Sequence, residues 1–222
     1  TFLGRVIRDI DRQVRANPWL NFIFRPALFL AGRVHQQEPG QRGRKVYSIH
    51  APEVECIGKG KAHKPYEFGV KVSVATTVAP SRGGQFVLAT KALPGNPYDG
   101  HTLSTVIPHL ETIIGNQIGR IIADKGYRGH GCPAPYSMRV YVSEQKRGVT
   151  RAIKRELKRR AAVEPVIGHL KSDHRMDRNY LIGSHGDAAN AVLAAVGYNF
   201  ARLLGWLRQL LCALLSLLIT AR

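Results

Sequence analysis

Short strand-like runs separated by turn residues fill this chain from Lys45 to Gln145 and give way at Gly148 to a continuous helical pattern. That change of period confines the fold to an α/β arrangement with a helical C-terminal region. KVYSIH, the alternation in YEFGVKVSVATT, and QFVLATKAL read as strands, and PSRGG between the last two predicts a hairpin. GNPYDGHTL reads as a loop and helix entry, with Asp99 through Thr102 as capping groups for the amphipathic TLSTVIPHLETIIG, which Pro108 is expected to bend. IGRIIAD is a compact apolar strand ending at Asp124, KGYRGHG turns sharply after it, and MRVYVSEQ is the last strand.

The two ends differ from this middle. TFLGRVIRDIDRQVR is an amphipathic basic helix with Leu3, Val6, Ile7, Ile10 and Val14 at helical spacing, and its charges exclude a secretory signal. The polar stretch QQEPGQRGRK follows as a linker, so residues 1–45 form a helical segment of their own. At the other end LLGWLRQLLCALLSLLIT is very apolar, but Arg202 and Arg208 interrupt it and the run from Gln209 to Thr220 is short for a bilayer. A buried C-terminal helix is the expectation there, with residues 208–222 as its apolar end and no membrane.

Charge points to the partner. In 222 residues, 33 Lys and Arg stand against 15 Asp and Glu, a formal net charge of +18. Such an excess favours a polyanion bound through phosphate neutralisation, with nucleic acid ahead of an anionic membrane surface. The three cysteines, Cys56, Cys132 and Cys212, are widely spaced and support neither a disulfide framework nor a CxxC metal knuckle, which fits a reducing cytoplasm.

The chemistry concentrates in RAAVEPVIGHLK, where Arg160, Glu164 and Lys171 stand at the spacing R-x3-E-x6-K. Steps of four and seven return to nearly the same face of a helix, so these side chains form one charged stripe in an apolar segment. An ordinary surface ion pair between Arg160 and Glu164 is the competing account. Asp124 is the second candidate, an acid at the C-terminal end of a buried strand, where open α/β sheets expose ligand groups. Two carboxylates on separate elements suit Mg²⁺ and in-line phosphoryl transfer, with Arg160 and Lys171 as cations on the scissile strand. The run from Lys146 to Arg160, including Lys154, Arg155, Lys158 and Arg159, is opposed by one acid, Glu156, and suits contacts to a DNA backbone. GKGKAHK lacks the spacing of a nucleotide loop, and His130 with Cys132 lacks a second pair for zinc. Tyr127 and His130 flank Asp124, and His169 lies one position off the stripe.

These segments together resemble DNA transposases of bacterial insertion sequences, the DDE type of the group founded on insertion sequence five. The resemblance runs through YSIHAPEVECIGKGKAHKPYEFGVKVS, KALPGNPYDGHTL, ADKGYRGH, QKRG, IKRELKRRAAVEPVIGHLK and GDAANAVLAAVGYNF, from Val46 to Leu207. It implies a ribonuclease-H-like mixed sheet flanked by helices, with Asp124 as the second catalytic carboxylate and Glu164 as the third. It also implies Arg160 and Lys171 as accompanying cations, with Leu157 at the family's tyrosine position. Mg²⁺ or Mn²⁺ bound by Asp124 and Glu164 is the implied cofactor. Insertion-sequence ends and target DNA are the implied partners, and a homodimer the implied form of the intact enzyme. The family's first carboxylate, in a D-[ST]-T-like strand, has no counterpart before Val46, because Asp9 and Asp11 lie in a basic helical pattern. Residues 46–207 are therefore expected to be the C-terminal part of a catalytic domain whose first core strand is absent. The expected activity is metal-dependent DNA strand cleavage and transfer, and the alternative is a noncatalytic basic DNA-binding remnant.

Overall fold

A computed structural model describes residues 1–60, 62–79, 81–134 and 136–220. Lys61 of the GKGKAHK turn and Pro80 of the PSRGG turn lie outside the described residues. The chain divides into two compact units, Thr1–Gly69 and Val70–Arg222.

In the first unit, α1 (Phe2–Val14) and α2 (Pro18–Gln36) form a helical pair. Asn17 starts α2 by accepting hydrogen bonds from the Trp19 and Leu20 amides at 3.0 and 3.2 Å, and Pro18 supplies a preset φ at the first helical position. A Cβ on Gly4 would lie 2.5 Å from His35 Nε2, so a glycine there permits the two helices to approach. β1 (Glu55–Gly58) pairs antiparallel with β2 (Tyr66–Gly69), Cys56 opposite Phe68. KVYSIH, expected as a strand, is irregular. The amide of Gln37 both donates to the Val46 carbonyl and accepts from the Val46 N–H, so a side chain satisfies the backbone that a neighbouring strand would have paired.

In the second unit, β3 (Lys71–Thr76) and β4 (Val87–Leu93) form the expected antiparallel hairpin, with a register irregularity between Ala75 and Thr76. Helix α3 (Asp99–Ile114) follows and ends at Gly115, whose φ of 67° is the left-handed conformation that closes helices. β5 (Ile121–Ala123) and β6 (Val140–Val142) pair in parallel. The helical remainder comprises α4 (Arg151–Arg159), a 3-10 turn (Arg160–Ala162), α5 (Val163–Ser172) and α6 (Gly183–Thr220). The fold is thus mixed α/β, and in place of one mixed sheet the described strands form three two-stranded sheets. The segment expected as one continuous helix changes to a 3-10 turn because Pro165 has no N–H to give the Ala161 carbonyl and its ring crowds that turn.

Two apolar clusters hold this unit. Leu103 and Ile107 of α3 pack with Ala123, Val140 and Val142 of the parallel pair and with Cys132. Val87 of β4 packs with Val166 and Leu170 of α5 and with Ala194, Ala195 and Tyr198 of α6. Asn199 completes this second cluster by accepting from Val87 N–H at 2.9 Å and donating to Val87 C=O at 2.8 Å, as a paired strand residue would. Leu170 is fully buried, with 0% exposure, so Leu170→Ala is expected to lower stability by about 2–5 kcal/mol, measured by urea unfolding of the purified chain.

The C-terminal helix departs from expectation. Its buried residues are Gly186, Ala191, Ala194, Ala195 and Tyr198, and from Phe200 to Thr220 the helix is exposed apart from the half-buried Trp206. The turn before β4 reaches α6 as far as Trp206, where a Cβ on Gly83 would lie 3.2 Å from its side chain, and among the described residues the helix is exposed beyond that point. By length and composition this is a helix apolar enough to cross a membrane, with a mean hydropathy of 1.8 over its most apolar 18-residue stretch.

Candidate active site

Asp124 follows the last residue of β5 and opens a 3-10 turn over Lys125–Tyr127, its Oδ1 accepting from the Lys125 amide at 2.7 Å. That bond aims the second oxygen, Oδ2, away from the turn, where Arg160 Nη1 lies 3.5 Å from it. Through Nη2 the same guanidinium donates to Glu164 Oε1 at 3.0 Å. One cation therefore spans the acid at the strand end and the acid in the first turn of α5. The side chain of Arg160 is 23% exposed, against 59% for Asp124 and 63% for Glu164, so the cation is the seated member and both carboxylates face solvent. Exposed pairs of this kind contribute about 0–1 kcal/mol each, too little to explain the arrangement as a device for stability.

The turn after Asp124 is braced from two sides. Glu144 receives Lys125 Nζ at 2.9 Å and Arg128 Nη2 at 3.3 Å. The hydrogen bond and charge of Lys125 hold the Glu144 carboxyl below the usual carboxylate range. On the other side Tyr98 Oη donates to the Arg128 carbonyl at 2.8 Å, and a Cβ on Gly100 would lie 3.0 Å from the His130 Cα. NPYDGHTL and ADKGYRGH, distant in sequence, are thus one packed unit. Tyr127, within the second of these blocks, has its phenol pushed up first by burial and then by the charge of Asp99, with the Thr102 and Ser73 hydroxyls opposing that rise.

Asp99 is the residue whose role the sequence misassigned. Tyr98 is the N-cap of α3 without a side-chain cap bond, and the Asp99 carboxylate instead meets Lys71 Nζ at 2.9 Å. Its Oδ2 lies 3.1 Å from where a Gly126 Cβ would stand, which puts the acid against the backbone of the Asp124 turn. Lys71 donates to the Pro97 carbonyl as well, at 2.7 Å. The available signal was position within a motif block rather than helix-capping chemistry.

The other predicted residues divide. Lys154, Arg155 and Lys158 are exposed on α4, whereas Arg159 is committed to the Val78 carbonyl at 2.9 Å. Glu156 pairs with Arg120 at 2.9 Å, joining α4 to the residue before β5. Lys171 lies in the last turn of α5. His169 pairs with Asp173 at 2.7 Å, and the Asp173 carboxyl is held low chiefly by the Ser172 hydroxyl and then by His169. His130 Nδ1 accepts from the Cys132 amide at 3.2 Å, and the Cys132 thiol is buried in the α3 cluster.

Asp124 and Glu164 offer the hard, solvent-facing oxygens that Mg²⁺ favours. Among the described residues, however, no group of three or more His, Cys, Asp or Glu is placed to hold a metal ion. With Arg160 spanning the two acids, the ligand number of a metal centre is not met.

Residues 134–204 match the family model described as a transposase DDE domain. The matched stretch carries Arg160, Glu164 and Lys171 and stops short of Asp124. Over those residues, about a third of the chain, the sequence is similar to a DDE transposase domain. No match was found among curated proteins or among solved structures.

Proposed function

We propose that the chain is a DNA-binding part of an insertion-sequence DDE transposase, in which Asp124 and Glu164 are two of the carboxylates that direct strand cleavage and transfer at element ends. The observation that carries this reading is the Arg160 guanidinium within reach of both acids, 3.5 Å from Asp124 and 3.0 Å from Glu164. A guanidinium there offsets the repulsion between the acids and presents N–H donors suited to a phosphate oxygen. Mg²⁺ or Mn²⁺ is the cofactor of this reading, and the centre requires an acidic ligand besides Asp124 and Glu164. Residues 46–207 are the catalytic-domain portion, Lys171 is an accompanying cation, and the cytoplasm is the compartment. The ribonuclease-H-like topology and the group founded on insertion sequence five belong to the same proposal.

DNA is the partner that the exposed cations of α4 suit, since Lys154, Arg155 and Lys158 would track the backbone without reading bases. The full chain should bind unrelated duplexes with similar affinity, falling steeply with salt in fluorescence anisotropy titrations. Replacing those three cations by Gln should flatten the plot of log K against log salt by about 2.7, near 0.9 for each phosphate that is no longer neutralised. Salt-insensitive binding, or an unchanged slope in the triple variant, would refute α4 as the DNA-facing element.

A further inference from the structure

Helix α6 has two apolar faces, and its own unit uses one of them. Ala191, Ala194, Ala195 and Tyr198 enter the core with α5 and β4. On the far side, Leu193, Phe200, Leu207 and Leu214 recur at every seventh residue, and Val196, Leu203, Leu210 and Leu217 each follow three residues later. At about 100° per residue, positions 196 and 200 lie about 160° from Tyr198, so this row runs along the face opposite the core. All eight side chains are between 38% and 65% exposed. An unbroken alternation of three and four is the 3.5-residue period of a left-handed coiled coil, the first set at a positions and the second at d.

We propose that this row is the docking surface for a second copy of the chain, two α6 helices winding about each other from Leu193 to Leu217. The surface is independent of the chemistry at Asp124. Arg202, Arg208, Gln209 and Ser216 all fall at b or c positions, off the row, so pairing buries no charge. Leu204, Leu211 and Leu218 at e positions flank the row and widen the contact. A paired length of about 36 Å brings the area covered to the order of the 800 Å² per partner of a specific interface. A bilayer, by contrast, imposes no period of 3.5 and would enclose Arg208 within the apolar stretch.

Two matched double variants test the face. Leu210→Glu with Leu214→Glu places two acids on the row, whereas Leu215→Glu with Ile219→Glu places two acids at b and f positions on the same turns. In sedimentation velocity without detergent, the full chain should run at twice its 24.6 kDa monomer mass. The first pair should raise the dissociation constant at least ~100-fold and the second should leave the dimer intact, with helicity followed by circular dichroism. If the first pair melts the helix, Leu210→Ala, which preserves helix propensity, should still weaken the dimer about tenfold. A monomeric wild-type chain, equal loss in both pairs, or flotation as a monomer with phosphatidylglycerol-containing vesicles would overturn the proposal, the last in favour of a bilayer.

Discussion

Joining the chain to an Asp-bearing strand of the kind carried by insertion-sequence transposases is expected to yield Mg²⁺- or Mn²⁺-dependent cleavage of a DNA duplex bearing the element end. In that extended protein Asp124→Asn or Glu164→Gln should reduce cleavage to background. Two-metal phosphoryl transfer needs enough anionic oxygens to hold both ions, and Asp124 with Glu164 meets that need only in part. Each substitution keeps the shape of the side chain and removes its charge, so the loss would report a missing ligand rather than a disturbed fold. DNA affinity should move the other way, rising slightly, because neutralising an acid adds to a chain already at +18. The test is a gel assay of strand products beside anisotropy binding on the same samples. Robust cleavage by the 222-residue chain alone would show that two carboxylates suffice or that another residue supplies the third ligand, and full activity in either variant would remove that acid from the site.

Asn199→Ala is expected to destabilise the second unit by about 2–4 kcal/mol in urea unfolding, with little change in the first. The side chain bonds both the N–H and the C=O of Val87, a residue only 5% exposed, so its removal strands two backbone groups away from water. Asn199→Asp should be at least as damaging. A carboxylate can still accept from the Val87 N–H, but it sets a second acceptor against the Val87 carbonyl where Asn donates. Equal stability of wild type and Asn199→Asp would show that the two bonds do not hold the edge of β4.

The local features of this chain were legible where one residue's neighbours in sequence are also its neighbours in space. The β3/β4 hairpin, the short apolar strand ending before Asp124, and the basic helix α4 each follow from a period and a boundary that lie within about ten residues. Arg160 and Glu164 were legible as a pair for the same reason, being four residues apart. KVYSIH has the composition of a strand, yet an amide nine residues earlier in the chain takes up the backbone groups of Val46.

Sequence by itself determined the type of most elements, KVYSIH and the 3-10 turn at Arg160 apart, together with the excess of positive charge and which acids lie beside turns and cations. Tertiary structure alone decided that Arg160 reaches Asp124 across 36 positions of chain, that Asp99 meets Lys71 rather than capping α3, and that the strands associate in separate pairs. It also decided that α6 buries one apolar face and leaves the other open. Periodicity marks a face as apolar without saying what covers it, and side-chain propensity does not encode which distant backbone group a carboxylate, an amide or a strand edge will meet.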